Sequence, residues 1–217
     1  MMSPVKVFRE LLVRGDSTSI VEARRRLSAL APTSVWARDD LIVTQVGTDA
    51  TAFRYLGPRV PQAFVWLTWE HDDAEVSNIV PATAGSLSYD EYNLIAQLFA
   101  DDVLHPTLDG IAKVHVDLGA SDKHIDDLVS QDTAAALRTF SHAANKSTGA
   151  SHPNDAERWN RFLIHAHTGR ERLDPEMLHR WLSEDEGWDD DKGSSLAIQY
   201  EQGRELLRQY DEERKKP

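Results

Sequence analysis

The apolar residues of this 217-residue chain change their spacing once, near residue 120, and that change limits the possible folds more than any motif does. Before it, several stretches alternate apolar and polar side chains. After it, apolar residues recur at three- and four-residue intervals. In Ala112–Leu118, Ala112, Val114, Val116 and Leu118 fall on one side, while Lys113, His115 and Asp117 fall on the other. That pattern predicts a strand with one polar face. Extended segments are also expected at Leu41–Val46, Ala52–Leu56 and Ala63–Trp69, which are rich in β-branched and aromatic residues and separated by Gly or Pro. Val5–Val13 carries both periods and is read as a strand.

Two helices interleave with these strands. Ser19 and Glu22 have capping-box spacing ahead of Ile20, Ala23, Leu27 and Leu30. Ser88 and Glu91 repeat the box, with Leu87 and Tyr92 placed as a hydrophobic staple. The stripe Ile95, Leu98, Phe99, Val103 then runs toward Pro106. Strand, helix, strands, helix, strand is the split β-α-β order. The expectation is therefore an α+β chain with a ferredoxin-like sheet domain over residues 1–120 and an extra extended segment in its middle.

Residues 121–217 read as helices. Asp132 is placed to cap a helix carrying Leu137, Phe140 and Ala144, and Asn145–Pro153 reads as an exposed loop or linker. Asn154 and Glu157 open a helix with Trp159, Phe162, Leu163 and Ala166 inward, closed by Gly169. Asp174 and Pro175 start a short helix carrying Leu178, Trp181 and Leu182, which stops near Gly187. A last helix from Ser194 or Ser195 shows Leu196, Tyr200, Gly203, Leu207 and Tyr210.

Chemistry is sparse. With no cysteine there is no disulfide scaffold, thiolate zinc site or cysteine nucleophile. No GxSxG elbow, GxxxxGK[ST] loop or GxGxxG turn occurs. His165 and His167 form an HxH pair, but on a helix residues two apart diverge by roughly 200°, and the helical spacing HExxH is absent. His115 and Asp117 share a strand face, as any solvated face would place them. The expectation is no catalytic residue, no metal and no cofactor.

Charge is the remaining signal. The formal net charge is −12, distributed as +3 over residues 1–60, −9 over 61–120 and −6 over 121–217. Such a chain repels phosphate backbones and attracts basic proteins. Two acidic, tryptophan-bearing segments stand out. One is Trp66–Glu75. The other is Trp181–Asp191, in which Trp181 and Trp188 accompany Glu184, Asp185, Glu186, Asp189, Asp190 and Asp191. Trp188 lies off both neighbouring apolar stripes and is expected to project as a hot spot among these acids.

The functional expectation is a non-catalytic acidic interaction protein that binds another protein with a basic surface. An immunity- or antitoxin-type inhibitor, or an accessory subunit of a prokaryotic defence system, would have this character. The alternatives are a metal-dependent hydrolase or nuclease with dispersed His and Asp ligands, and a small-molecule sensor. An N-terminus charged throughout and the lack of ~18 consecutive apolar residues lead to the expectation of a cytoplasmic protein without a membrane span.

Overall fold

A computed structural model describes residues 4–39, 49–147, 152–171 and 173–216. In chain order its elements begin with β1 (Val5–Lys6), β2 (Leu11–Arg14), α1 (Ser17–Ser28), β3 (Trp36–Arg38), β4 (Ala50–Tyr55), β5 (Ala63–Trp69) and β6 (Asp73–Pro81). Next come α2 (Tyr89–Phe99), a π-helical turn (Ala100–Leu104), α3 (His105–Leu108), β7 (His115–Leu118) and β8 (Asp122–Lys123). The remainder is helical: α4 (Ile125–Leu128), α5 (Gln131–Ala143), α6 (Pro153–Thr168), α7 (Pro175–Arg180), a second π turn (Trp181–Asp185) and α8 (Asp190–Lys215). The chain is α+β and divides into two units, Val7–Ser121 and the described residues of Met1–Lys6 with Asp122–Pro217.

The first unit is a six-stranded sheet in the order β3-β4-β5-β6-β2-β7, every adjacent pair antiparallel. Strand β5 shows why it forms. Ala63, Val65, Leu67 and Trp69 are buried and the residues between them are not, so one side of the pleat faces the core. Ile20, Ala23 and Leu27 of α1 and Ile95, Ala96 and Phe99 of α2 share that core with Leu11, Val13 and Phe53. Its centre is aromatic, with Phe99 lying 5.1 Å from Phe53 and 5.2 Å from Trp36 between ring centroids.

Strand β6 escapes sequence reading for a physical reason. Its buried apolar residues are Ala74, Val76 and Ile79, which do not alternate. Trp66 pairs with Asn78 and Leu67 with Val76, so Ser77 is an extra residue in the ladder, and this bulge turns Ile79 back to the core. Two expectations need correction. Lys113 has a left-handed backbone (φ 64°), so the strand begins at His115, and the Lys113 ammonium pairs with Asp16 at 2.9 Å. Helix α1 is capped by Asp16, which accepts from the Ser19 amide, while Glu22 turns to Arg25 and Arg26. The Ser88–Glu91 box forms in full. The segment Leu41–Val46 lies outside the described residues.

In the second unit β1 pairs antiparallel with β8, and Val5 joins a core of Leu137, Phe140, Trp159, Phe162, Trp181, Trp188 and Tyr200. Val5–Val13 is thus two strands in different sheets. Asn145–Pro153 joins α5 and α6, which pack together with Phe140 4.8 Å from Trp159, so it connects two helices of one unit. Residues 148–151 of that stretch lie outside the described residues. Asp174 caps α7 through the Glu176 amide. The position before α5 is Ser130 and not Asp132, α6 is capped by His152, and α8 starts at Asp190, earlier than its apolar stripe suggests. Among the described residues no helix is long and apolar enough to cross a membrane.

Candidate functional site

The acidic segment between α7 and α8 is built on the second π turn. That wide turn is closed by the Glu186 amide donating to the Trp181 carbonyl at 3.1 Å, five residues back. Gly187 then takes a left-handed conformation (φ 70°), and the Trp188 amide donates to the Leu182 carbonyl at 2.9 Å. This reversal directs Trp188 inward, against the expectation of a projecting hot spot. Trp188 is 3% exposed, stacks on Phe140 with centroids 5.4 Å apart, and donates its indole N–H to Ser141 Oγ at 2.8 Å. Trp181, 1% exposed, is likewise core.

The carboxylates separate into different roles. Glu186 turns inward: Ser141 Oγ donates to its Oε2 at 2.7 Å, and Lys146 Nζ and His142 Nε2 lie 3.6 and 3.5 Å away. Lys146 also donates to the Glu186 carbonyl. Glu184 pairs with Arg180 at 2.9 Å, and Asp190 with His179 at 3.0 Å. Asp189 occupies the N-cap position of α8, with Asp190 and Asp191 in its first turn, where the helix dipole favours negative charge. Mutual repulsion among the six acids is therefore largely compensated. Asp189, Asp190 and Asp191 remain exposed on a backbone locked from beneath by Trp188 and Glu186.

The other sequence candidates do not assemble into a reaction centre. His167 Nε2 lies 2.8 Å from Asp211 Oδ2, which holds the Asp211 carboxyl below its ordinary range. His115 and Asp117 are exposed on β7, with Asp117 3.9 Å from Arg14. Trp69 is buried and donates to Thr51 Oγ1 at 2.9 Å, so the Trp66–Glu75 segment is largely a β5–β6 hairpin. Among the described residues no group of three or more His, Asp or Glu side chains is arranged to hold a metal ion.

Sequence reasoning missed a groove of about 700 Å³ along the middle of α8, lined by His167, Arg170, Pro175, Arg204, Glu205 and Arg208 among others. Gly169, read as closing the helix, is its C-cap but keeps a helical backbone (φ −71°), so the left-handed residue falls one position later. The Glu171 amide donates to Ala166 O at 3.0 Å and the Arg170 amide to His167 O at 3.1 Å, the two bonds of a Schellman motif. The left-handed residue is Arg170, φ 54°.

No family model matches the chain, and neither a curated protein nor a solved structure matches it.

Proposed function

We propose that this chain is a non-catalytic binding protein that docks a basic protein on the exposed carboxylates at the start of α8. The observation that carries the reading is preorganisation. Asp189, Asp190 and Asp191 sit on a turn whose backbone is held by the buried Trp188 and by Glu186, so little ordering entropy is lost on binding. An immunity- or antitoxin-type inhibitor, or an accessory subunit of a defence system, acts in this manner on a cationic partner. Such exposed charges act mainly on association rate. The test is capture of the partner, followed by association kinetics for a variant with Asp189, Asp190 and Asp191 all replaced by Asn. Slower association and a flatter salt dependence support the docking site. Unchanged rates at every salt concentration remove it.

Among the described residues the hydrolase alternative has the two-membered pairs His142–Glu186, His167–Asp211 and His179–Asp190 to build on. For the sheet unit we infer a ferredoxin-like split β-α-β arrangement extended by two edge strands. Strands β6 and β7, joined by α2, run in the same direction with β2 between them, and β5 runs parallel to β2 with β6 between.

A further inference from the structure

The groove along α8 holds guanidinium groups whose donors the fold uses only in part. Arg170 lines it, and among the described residues its side chain has no hydrogen-bond or ion-pair partner. Arg204 is oriented by the Tyr200 ring 5.4 Å away and lies near enough to Glu171 to help hold its carboxyl below the ordinary range; among the described residues its hydrogen bonds are made by Nη1, with Tyr200 Oη at 3.2 Å and Leu173 O at 3.5 Å. Arg208, by contrast, is taken up by Glu205 and Glu212. An adjoining hollow shares His167, Arg170 and Arg208 and adds Thr168, Asp211, Glu212 and Lys215, so Arg170 stands where the two meet.

The backbone at Arg170 strengthens the case. A left-handed residue with a Cβ is disfavoured, and glycine is the ordinary occupant of this position in a Schellman motif. Keeping arginine there puts a long cationic side chain on the groove wall at the expense of backbone ease. Strain of this kind collects at ligand clamps. In a chain of net charge −12, two guanidinium groups with spare donors beside one groove form a local site for an anion.

We propose that this groove binds a small oxyanion, the carboxylate or phosphate group of an organic metabolite, with Arg170 and Arg204 as its donors. The apolar part of the ligand would lie against Pro175 and the aliphatic stems of the arginines. Glu201 lines the same groove and opposes the anion, so it sets a limit on affinity. This site is separate from the acidic turn and does not depend on the partner-docking reading.

The experiment is amide NMR titration of the full chain at constant ionic strength, with inorganic phosphate in one arm and succinate in the other. Saturable shifts confined to residues around 167–175 and 200–208 are expected in at least one arm. Arg170→Gly, which suits the left-handed backbone, should weaken binding about tenfold, in line with the loss of one charge-assisted hydrogen bond. Glu201→Gln should tighten it several-fold. Saturation by phosphate alone assigns a phosphate-bearing ligand, and saturation by succinate alone a carboxylate. Purely linear shifts in both arms, or equal affinity for wild type and Arg170→Gly, would overturn the proposal.

Discussion

Replacing Trp188 distinguishes a surface hot spot from a structural bolt. The indole is 3% exposed, stacked on Phe140 and hydrogen-bonded to Ser141, which in turn donates to Glu186. Truncating a buried aromatic to alanine costs ~3–5 kcal/mol, and the loss of the stacked pair and the N–H bond places Trp188→Ala toward the upper end. Trp188→Phe keeps an aromatic ring on Phe140 and loses the N–H donor, which should cost ~1–2 kcal/mol. For a unit of this size, ~1 kcal/mol corresponds to a fall in Tm of roughly 4–8 °C. Urea and thermal unfolding followed by far-UV circular dichroism would show a graded series, wild type above Phe above Ala. A projecting side chain would instead leave both variants within ~0.5 kcal/mol of wild type. Urea midpoints for Trp188→Ala and wild type that coincide would refute the packing argument and restore Trp188 as a contact residue.

Four further outcomes follow from particular residues. Arg170 and Gly187, both left-handed, should respond with opposite sign: Arg170→Gly should stabilise by ~0.5–1 kcal/mol and Gly187→Ala destabilise by ~1 kcal/mol, read from urea midpoints at unchanged m-value. Deleting Ser77 removes the extra residue and leaves Ala74, Val76 and Ile79 in strict alternation opposite the same β5 partners, so the sheet unit should keep its cooperative transition in thermal melts, whereas inserting a second residue after Ser77 should turn Ile79 out of the core and abolish it. Ser88→Ala should cost ~1 kcal/mol of stability, measured by urea unfolding at pH 7. Asp16 is held well below the usual carboxylate range, first by its hydrogen bond from Lys113 and then by Ser19. Its folded-state pKa is depressed, so its contribution is present above the unfolded value near ~3.9 and is lost as pH falls through the folded one. Carboxyl NMR titration should find Asp16 still ionised at pH 3, and Lys113→Gln should bring its midpoint up.

The sequence by itself determined the features whose causes lie within a few residues. Ser88 with Glu91, and Asp174 with Pro175, mark helix starts because the orphan amides they serve are two or three positions away. The alternation of Ala63–Trp69 marks a strand because the pleat has period two, and the stripe through Trp159, Phe162 and Ala166 marks the buried face of α6. The change of period near residue 120 likewise anticipated sheet before helices. Only the tertiary structure decided the rest. Ser77 breaks the alternation of β6, and nothing within that strand shows that a bulge against Trp66 and Leu67 restores Ile79 to the core. Val5 and Leu11 are six residues apart, yet their partners are Lys123 and Leu118, so one apparent strand becomes two. The direction of Trp188 is set by Gly187 and by a pocket that Phe140 and Ser141 supply from more than forty residues away. The groove depends on α6 bringing Arg170 alongside Arg204. Caps and periods are local interactions and can be read along the chain; a buried tryptophan and a shared groove arise when distant segments meet, and spacing along one segment carries no record of its partner.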